Sequence, residues 1–111
     1  MGERITRADL AVQAAIIAAY GTAAGVTAPG DSVGVDKGLG GYALMVTRAG
    51  ESGRGGHPFT DSGYGSIGST AREAHATLVA MVKTSRAILT ALDVDYVWPA
   101  AAIAAIRGES A

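Results

Sequence analysis

Glycine is distributed along this chain in a way that limits what the chain can become. Seven glycines fall between Gly50 and Gly68, and the next is Gly108. Residues without a Cβ serve turns and close backbone approaches, whereas a long glycine-free stretch is open to helix. The boundary between the two regimes is sharp. Thr70 has the side chain of an N-cap, and Glu73, three residues on, completes a capping box with it. The pattern therefore predicts a glycine-rich loop that runs directly into a helix beginning at Ala71.

A second capping box stands near the start, where Thr6 precedes Asp9 and Ile5 can staple onto Leu10. From Leu10 to Ala19 only Gln13 is polar. A helix this apolar on nearly all sides is sandwiched inside the domain or shared with another subunit. Gly21 or Gly25 ends it. Pro29-Gly30 marks a turn, Ser32 to Val35 a short strand, and Asp36-Lys37-Gly38 a second turn. Gly41 to Arg48 is the clearest strand, with Tyr42, Leu44 and Val46 on one face and Ala43, Met45 and Thr47 on the other. Together they predict a β-hairpin, with Ala49 to Gly68 as a long connection.

The second helix is expected from Ala71 to about Leu92, with Leu78, Val82, Ser85, Leu89 and Leu92 as its apolar stripe. Asp93 to Asp95 breaks it. Pro99 opens a final helix from Ala100 to Arg107, with Gly108 as its stop and Trp98, Ile103 and Ile106 as an apolar patch. The expected fold class is α+β: N-terminal helix, β-hairpin, glycine-rich loop, long helix and short C-terminal helix. At 111 residues the chain makes a single domain, residues 1–111, with 93–111 as a docking or oligomerisation tail.

Composition narrows the function classes. A net charge of −1 lacks the basic surplus of a nucleic-acid binder. Without Cys there are no disulfides and no zinc–thiolate sites, which fits a cytoplasmic protein. Met1-Gly-Glu-Arg does not open a signal peptide, and the apolar run from Leu10 to Tyr20 is too short to span a bilayer. An alanine-rich core buries little apolar area per residue, so a homo-oligomer is expected.

The candidate site is the glycine-rich loop. Gly63-Tyr64-Gly65-Ser66-Ile67-Gly68 has the GxGxxG spacing, but the preceding His57 to Ser62 is no buried strand, and too little chain remains for a parallel sheet. What survives is a looser anion site, in which a loop and a helix N-terminus present free N–H groups. Its residues would be Gly63, Tyr64, Gly65, Ser66, Gly68, Thr70 and Arg72, with Arg48, Arg54, His57 and Phe59 contributed from the strand and the connection. Arg72 is the first choice to grip an anion with its planar fork. His57, His75 and Asp61 make a weak metal set, and no cofactor is called for. Ser62, Ser66, His75 and Asp61 supply the residue types of a triad without an elbow motif, so no reaction is named and catalysis is not indicated.

Three segments, in order, carry a resemblance. They are Ile5-Thr6-Arg7 with Leu10; Gly40-Gly41-Tyr42-Ala43-Leu44; and Gly63-Tyr64-Gly65 with Ile67, followed by Arg72-Glu73. In these the chain resembles a group of small phage-encoded proteins of unassigned function, over roughly Ile5 to Ile88. It departs from them around Arg54 to Ser62, in the tail after Leu92, and in lacking their Asn-rich strand before the glycine pair. The resemblance implies a phage accessory protein acting inside an infected bacterium, and it transfers no catalytic residue. The functional expectation is a non-enzymatic oligomer that holds a small anionic or nucleotide-like ligand, for instance sequestering a host defence signal. The alternative is a structural or protein-interaction module, such as a virion component or an inhibitor of a host protein. A small hydrolase or transferase ranks last.

Overall fold

A computed structural model describes residues 4–38, 40–50, 57–59 and 65–108. The architecture is α+β. Helix α1 (Arg7–Ala24) is followed by strands β1 (Ser32–Gly38), β2 (Gly41–Thr47), β3 (His57–Pro58) and β4 (Ser66–Gly68), then by helices α2 (Ala71–Ala91) and α3 (Ala100–Ile106). The sheet is antiparallel throughout, with β2 between β1 on one side and both β3 and β4 on the other.

Both capping boxes form. The Thr6 hydroxyl accepts from the Asp9 N–H, and the Asp9 carboxylate accepts from the Thr6 N–H at 2.8 Å. Gly25, at φ 80°, ends α1 in the left-handed conformation, so of the two glycines expected there it is the second that stops the helix. Gly108 at φ 71° follows α3 in the same way.

The hairpin is longer than expected. β1 runs on through Asp36, Lys37 and Gly38, so that Gly38 pairs with Gly41 and the turn falls after the predicted Asp36-Lys37-Gly38. Gly40 at φ 89° supplies the positive φ that a tight hairpin demands. Among the described residues of the connection from Ala49 to Gly68, β3 pairs with Val46 and Met45, and β4 with Tyr42 and Ala43 across a bulge.

α1 and α2 pack against one face of the sheet. Leu44 from β2 clusters with Leu10, Ile16, Ile17 and Tyr20 from α1 and with Ala74, Leu78, Val82 and Leu89 from α2, and Val46 on the same strand face is also buried, as the strand alternation and the helix stripe require. Leu92, expected in that stripe, is 67% exposed, because α2 stops at Ala91 and the chain turns away at Asp93, φ 57°. The tail docks on the core: Ile103 is buried, and Val94, Tyr96 and Ile106 pack beside it. Trp98 stays partly exposed, so the expected patch is split. The Arg86 Nε–H donates to the Tyr20 hydroxyl at 2.8 Å, and Tyr96 stacks edge-on against the Tyr20 ring at 4.7 Å, which ties α1, α2 and the tail together.

Two glycines carry the junction of sheet and helix. A Cβ on Gly41 would lie 2.5 Å from the Gly68 carbonyl oxygen, and one on Gly68 would lie 2.7 Å from the Ala74 nitrogen. Both have positive φ, 140° and 152°. Gly68→Ala is expected to cost about 2–3 kcal/mol through combined strain and overlap with backbone. Gly34→Ala, where a Cβ meets open space, should stay within about 0.5 kcal/mol. Urea unfolding of the two variants checks the contrast.

Candidate functional site

The described part of the predicted anion loop, from Gly65 onward, is a strand and a capped helix start. Ser66 and Gly68 lie in β4, and Gly65 sits just before it, buried, where a Cβ would come 2.7 Å from the Leu44 carbonyl oxygen. At the helix start one Glu73 oxygen accepts from the Ser69 N–H (2.9 Å), the Ser69 hydroxyl (2.7 Å) and the Thr70 N–H (3.3 Å). The Thr70 hydroxyl accepts from the Glu73 N–H at 3.1 Å. The Ser69 hydroxyl first, and then the Ser69 and Thr70 N–H groups, hold the Glu73 carboxyl below its ordinary pKa. The start of α2 thus carries an anion of its own, which holds the Ser69 and Thr70 donors.

The other expected residues are spread over separate places. Arg72 is exposed in the first turn of α2. Arg48 lies beyond the far end of β2. Ser66 is opposite Ala43, so Arg48 stands five residues further along, about 17 Å away at strand rise. There Arg48 Nη1 donates to Asp31 Oδ2 at 2.9 Å. The same carboxylate accepts from the Ala28 N–H and the Ala49 N–H, each at 2.9 Å. These two backbone bonds, then the Arg48 guanidinium, pull the Asp31 carboxyl down to about 2. His57 lies near this end, across from Val46 in β3. Phe59 is half-buried against the core, its ring approaching Gly21 at the C-terminal end of α1. Gly63, Tyr64 and Arg54 lie outside the described residues, as does Asp61. Among the described residues no three His, Asp or Glu side chains gather where they could hold a metal ion.

A concave surface lies elsewhere. A groove of about 950 Å³ runs between α1 and β1 and is closed at one end by α3. Six consecutive β1 residues, Ser32 to Lys37, line one wall, about 20 Å of strand. The facing wall is a stripe of α1 from Arg7 through Ala11, Ala15 and Ala18 to Thr22, about 23 Å at helical rise. Ala102 and Ile106 of α3 complete it.

Among the described residues β1 has a single neighbour, β2. In a two-residue hairpin the pair flanking the turn exchanges hydrogen bonds, and bonded and non-bonded pairs then alternate. Gly38–Gly41 is that pair, so Ser32, Gly34 and Asp36 face β2 while the N–H and C=O groups of Val33, Val35 and Lys37 face the groove. Leu44 corroborates this. It lies across from Val35 but gives its carbonyl to the Phe59 N–H on the other side, at 2.9 Å. The sequence carried one signal of the groove, the small residues spaced along α1. The open edge is a property of topology and left no local signal.

Two outcomes test the electrostatics and the cap. Asp31 has a folded pKa below its ordinary 3.8, so its contribution is complete above that value and is lost as pH falls toward 2. Asp31→Asn should lower the melting temperature at pH 7 and make little difference near pH 2. Thr70→Ala should cost about 1 kcal/mol by removing the N-cap, whereas Arg72→Ala, exposed and outside the capping bonds, should leave thermal unfolding nearly unchanged.

No helix among the described residues is long and apolar enough to cross a membrane. Comparisons with protein-family models, curated proteins and solved structures found no match for this chain.

Proposed function

We propose that this chain is a non-enzymatic protein-interaction module that takes up an extended polypeptide strand along β1. The open edge of β1, bordered by a groove of matching length, carries this reading. An extended segment laid there would complete the backbone hydrogen bonds of Val33, Val35 and Lys37, and its alternate side chains would enter the space beside the α1 alanines. Small side chains on the helix wall leave room for the occupant's side chains to be the larger partners. The start of α2 is the less favoured place for an anion, since the Glu73 carboxylate already stands there and accepts from the Ser69 and Thr70 N–H groups. The phage-infected bacterium as setting rests on the three sequence segments alone.

The test uses random heptapeptides selected against the immobilised protein. Binders should carry apolar residues at alternate positions. Lys37→Pro removes one outward N–H from an edge strand, where proline is tolerated, and should weaken these binders about tenfold. The substitution also loses the contact of the Lys37 ammonium with the Tyr42 ring, 5.8 Å from its centroid, a cost of about 0.5–1 kcal/mol in stability. Failure to select binders, or binders indifferent to Lys37→Pro, would remove the strand-docking site.

A further inference from the structure

We infer that the strand docked on β1 is the β1 of a second copy of this chain, paired antiparallel about Gly34. This rests on the strand-docking reading above and names its occupant. A two-fold axis through the sheet keeps both copies' α1 helices on the same face, and it allows pairings in which opposed residue numbers add to an even sum.

Charge and side-chain character choose among these pairings. Centring on Asp36 would set two carboxylates directly opposite each other, which is unfavourable. Centring on Val35 would lay the Lys37 ammonium across from the partner's Val33 on the face that packs against the helices. Centring on Gly34 avoids both. On the inner face Val33 then opposes the partner's Val35, and Val35 the partner's Val33. On the outer face Ser32 opposes the partner's Asp36, pairing a hydroxyl donor with a carboxylate. Lys37 comes opposite the partner's Asp31, whose carboxylate is already engaged by Arg48 and two backbone N–H groups, so this position sets no like charges together and adds no new ion pair.

Position 34 fits an axis. A Cβ there would meet nothing within 4 Å, so the outer face at the axis is open and position 34 accepts a side chain without disturbing its own chain. The outward N–H and C=O groups of Val33 and Val35 become bonded pairs, which the alternation of the hairpin requires. Both copies contribute the Ala11, Ala15 and Ala18 stripe above the joined strands, where small side chains let two helices come close. The arrangement is closed, because a two-fold contact spends the same β1 edge of both copies on each other.

The chain has no cysteine, so single cysteines report the register directly. Residues 34 of the two copies form a non-hydrogen-bonded pair with Cα atoms about 4.5 Å apart, inside the span a disulfide bridges. Gly34→Cys should give a covalent dimer on mild oxidation. Asp36→Cys, whose two copies would stand about 13 Å apart at strand rise, should remain uncrosslinked under the same conditions. Light scattering of the unsubstituted protein at tens of micromolar should give twice 11.1 kDa. A monomer mass overturns the inference, as does a dimer that crosslinks at position 36 and not at 34. Selected peptides that still lose affinity with Lys37→Pro would then show that strand docking stands while the second copy is not its occupant. Loss of both results removes the site itself.

Discussion

The structure depends on one place where backbone meets backbone without side chains between. Gly41 at the start of β2, Gly68 at the end of β4 and the Glu73–Ala74 peptide of α2 are stacked so closely that a Cβ on either glycine would overlap main-chain atoms. This contact fixes the point at which α2 leaves the sheet, and hence which of its faces lies over β2. Ala74, fully buried, continues the close approach, and Leu78 one turn on reaches the centre of the core beside Leu44. A bulkier junction would lift the helix, and the two leucines that fill the interior would lose their contacts. The position of α1 follows, since it packs against the surfaces that β1 and α2 leave open.

The same junction explains why a ligand loop and a packing joint look alike in sequence. Glycine is required wherever another backbone must come close, whether that backbone belongs to a phosphate-binding turn or to a neighbouring helix. The capping box is likewise ambiguous from residue types alone. It marks the helix start, and it also supplies the carboxylate that meets the N–H groups there. In this chain Glu73 accepts from Ser69 and Thr70, so the positive end of the α2 dipole is met internally. The residues gathered around the loop in sequence separate in space for a related reason. β2 runs straight through the sheet, so Arg48 and Ser66, near opposite ends of it, are held apart by the strand's own length.

What was legible in the sequence was local. Thr6 with Asp9 and Thr70 with Glu73 announce helix starts through bonds spanning three residues, and Gly25 and Gly108 announce ends through one φ angle each. The alternation of Leu44 and Val46 gave the buried face of β2 in the same way. The features that escaped are those fixed by distant partners. β3 and β4 are two and three residues long, too short for a periodic pattern, and exist because β2 offers them an edge. β1 extends through Asp36 and Lys37 because Ala43 and Tyr42 lie opposite, overriding a composition that reads as a turn. Leu92 continues the stripe of α2 in sequence, yet the helix ends before its side chain can follow the core.

The unusual evenness of α1 now has a physical account. A helix covered on one side would alternate apolar and polar faces, but α1 packs against α2, β1 and α3, and its remaining stripe of alanines borders the groove. Alanine suits that stripe because it adds little exposed apolar area when the groove is open and little bulk when it is filled. β1 beside it is only lightly defended as an edge: Asp36 and Lys37 stand toward one end, while Val33, Gly34 and Val35 leave its centre without a charge. Such an edge invites a strand. The opposite side of β2 is occupied by β3 and β4, two and three residues long, so the second edge of the sheet is short and offers little for further pairing. An isologous contact at β1 spends the same edge of both copies on each other and so closes on itself, and the brevity of the other described edges, β3 and β4, blunts pairing beyond it.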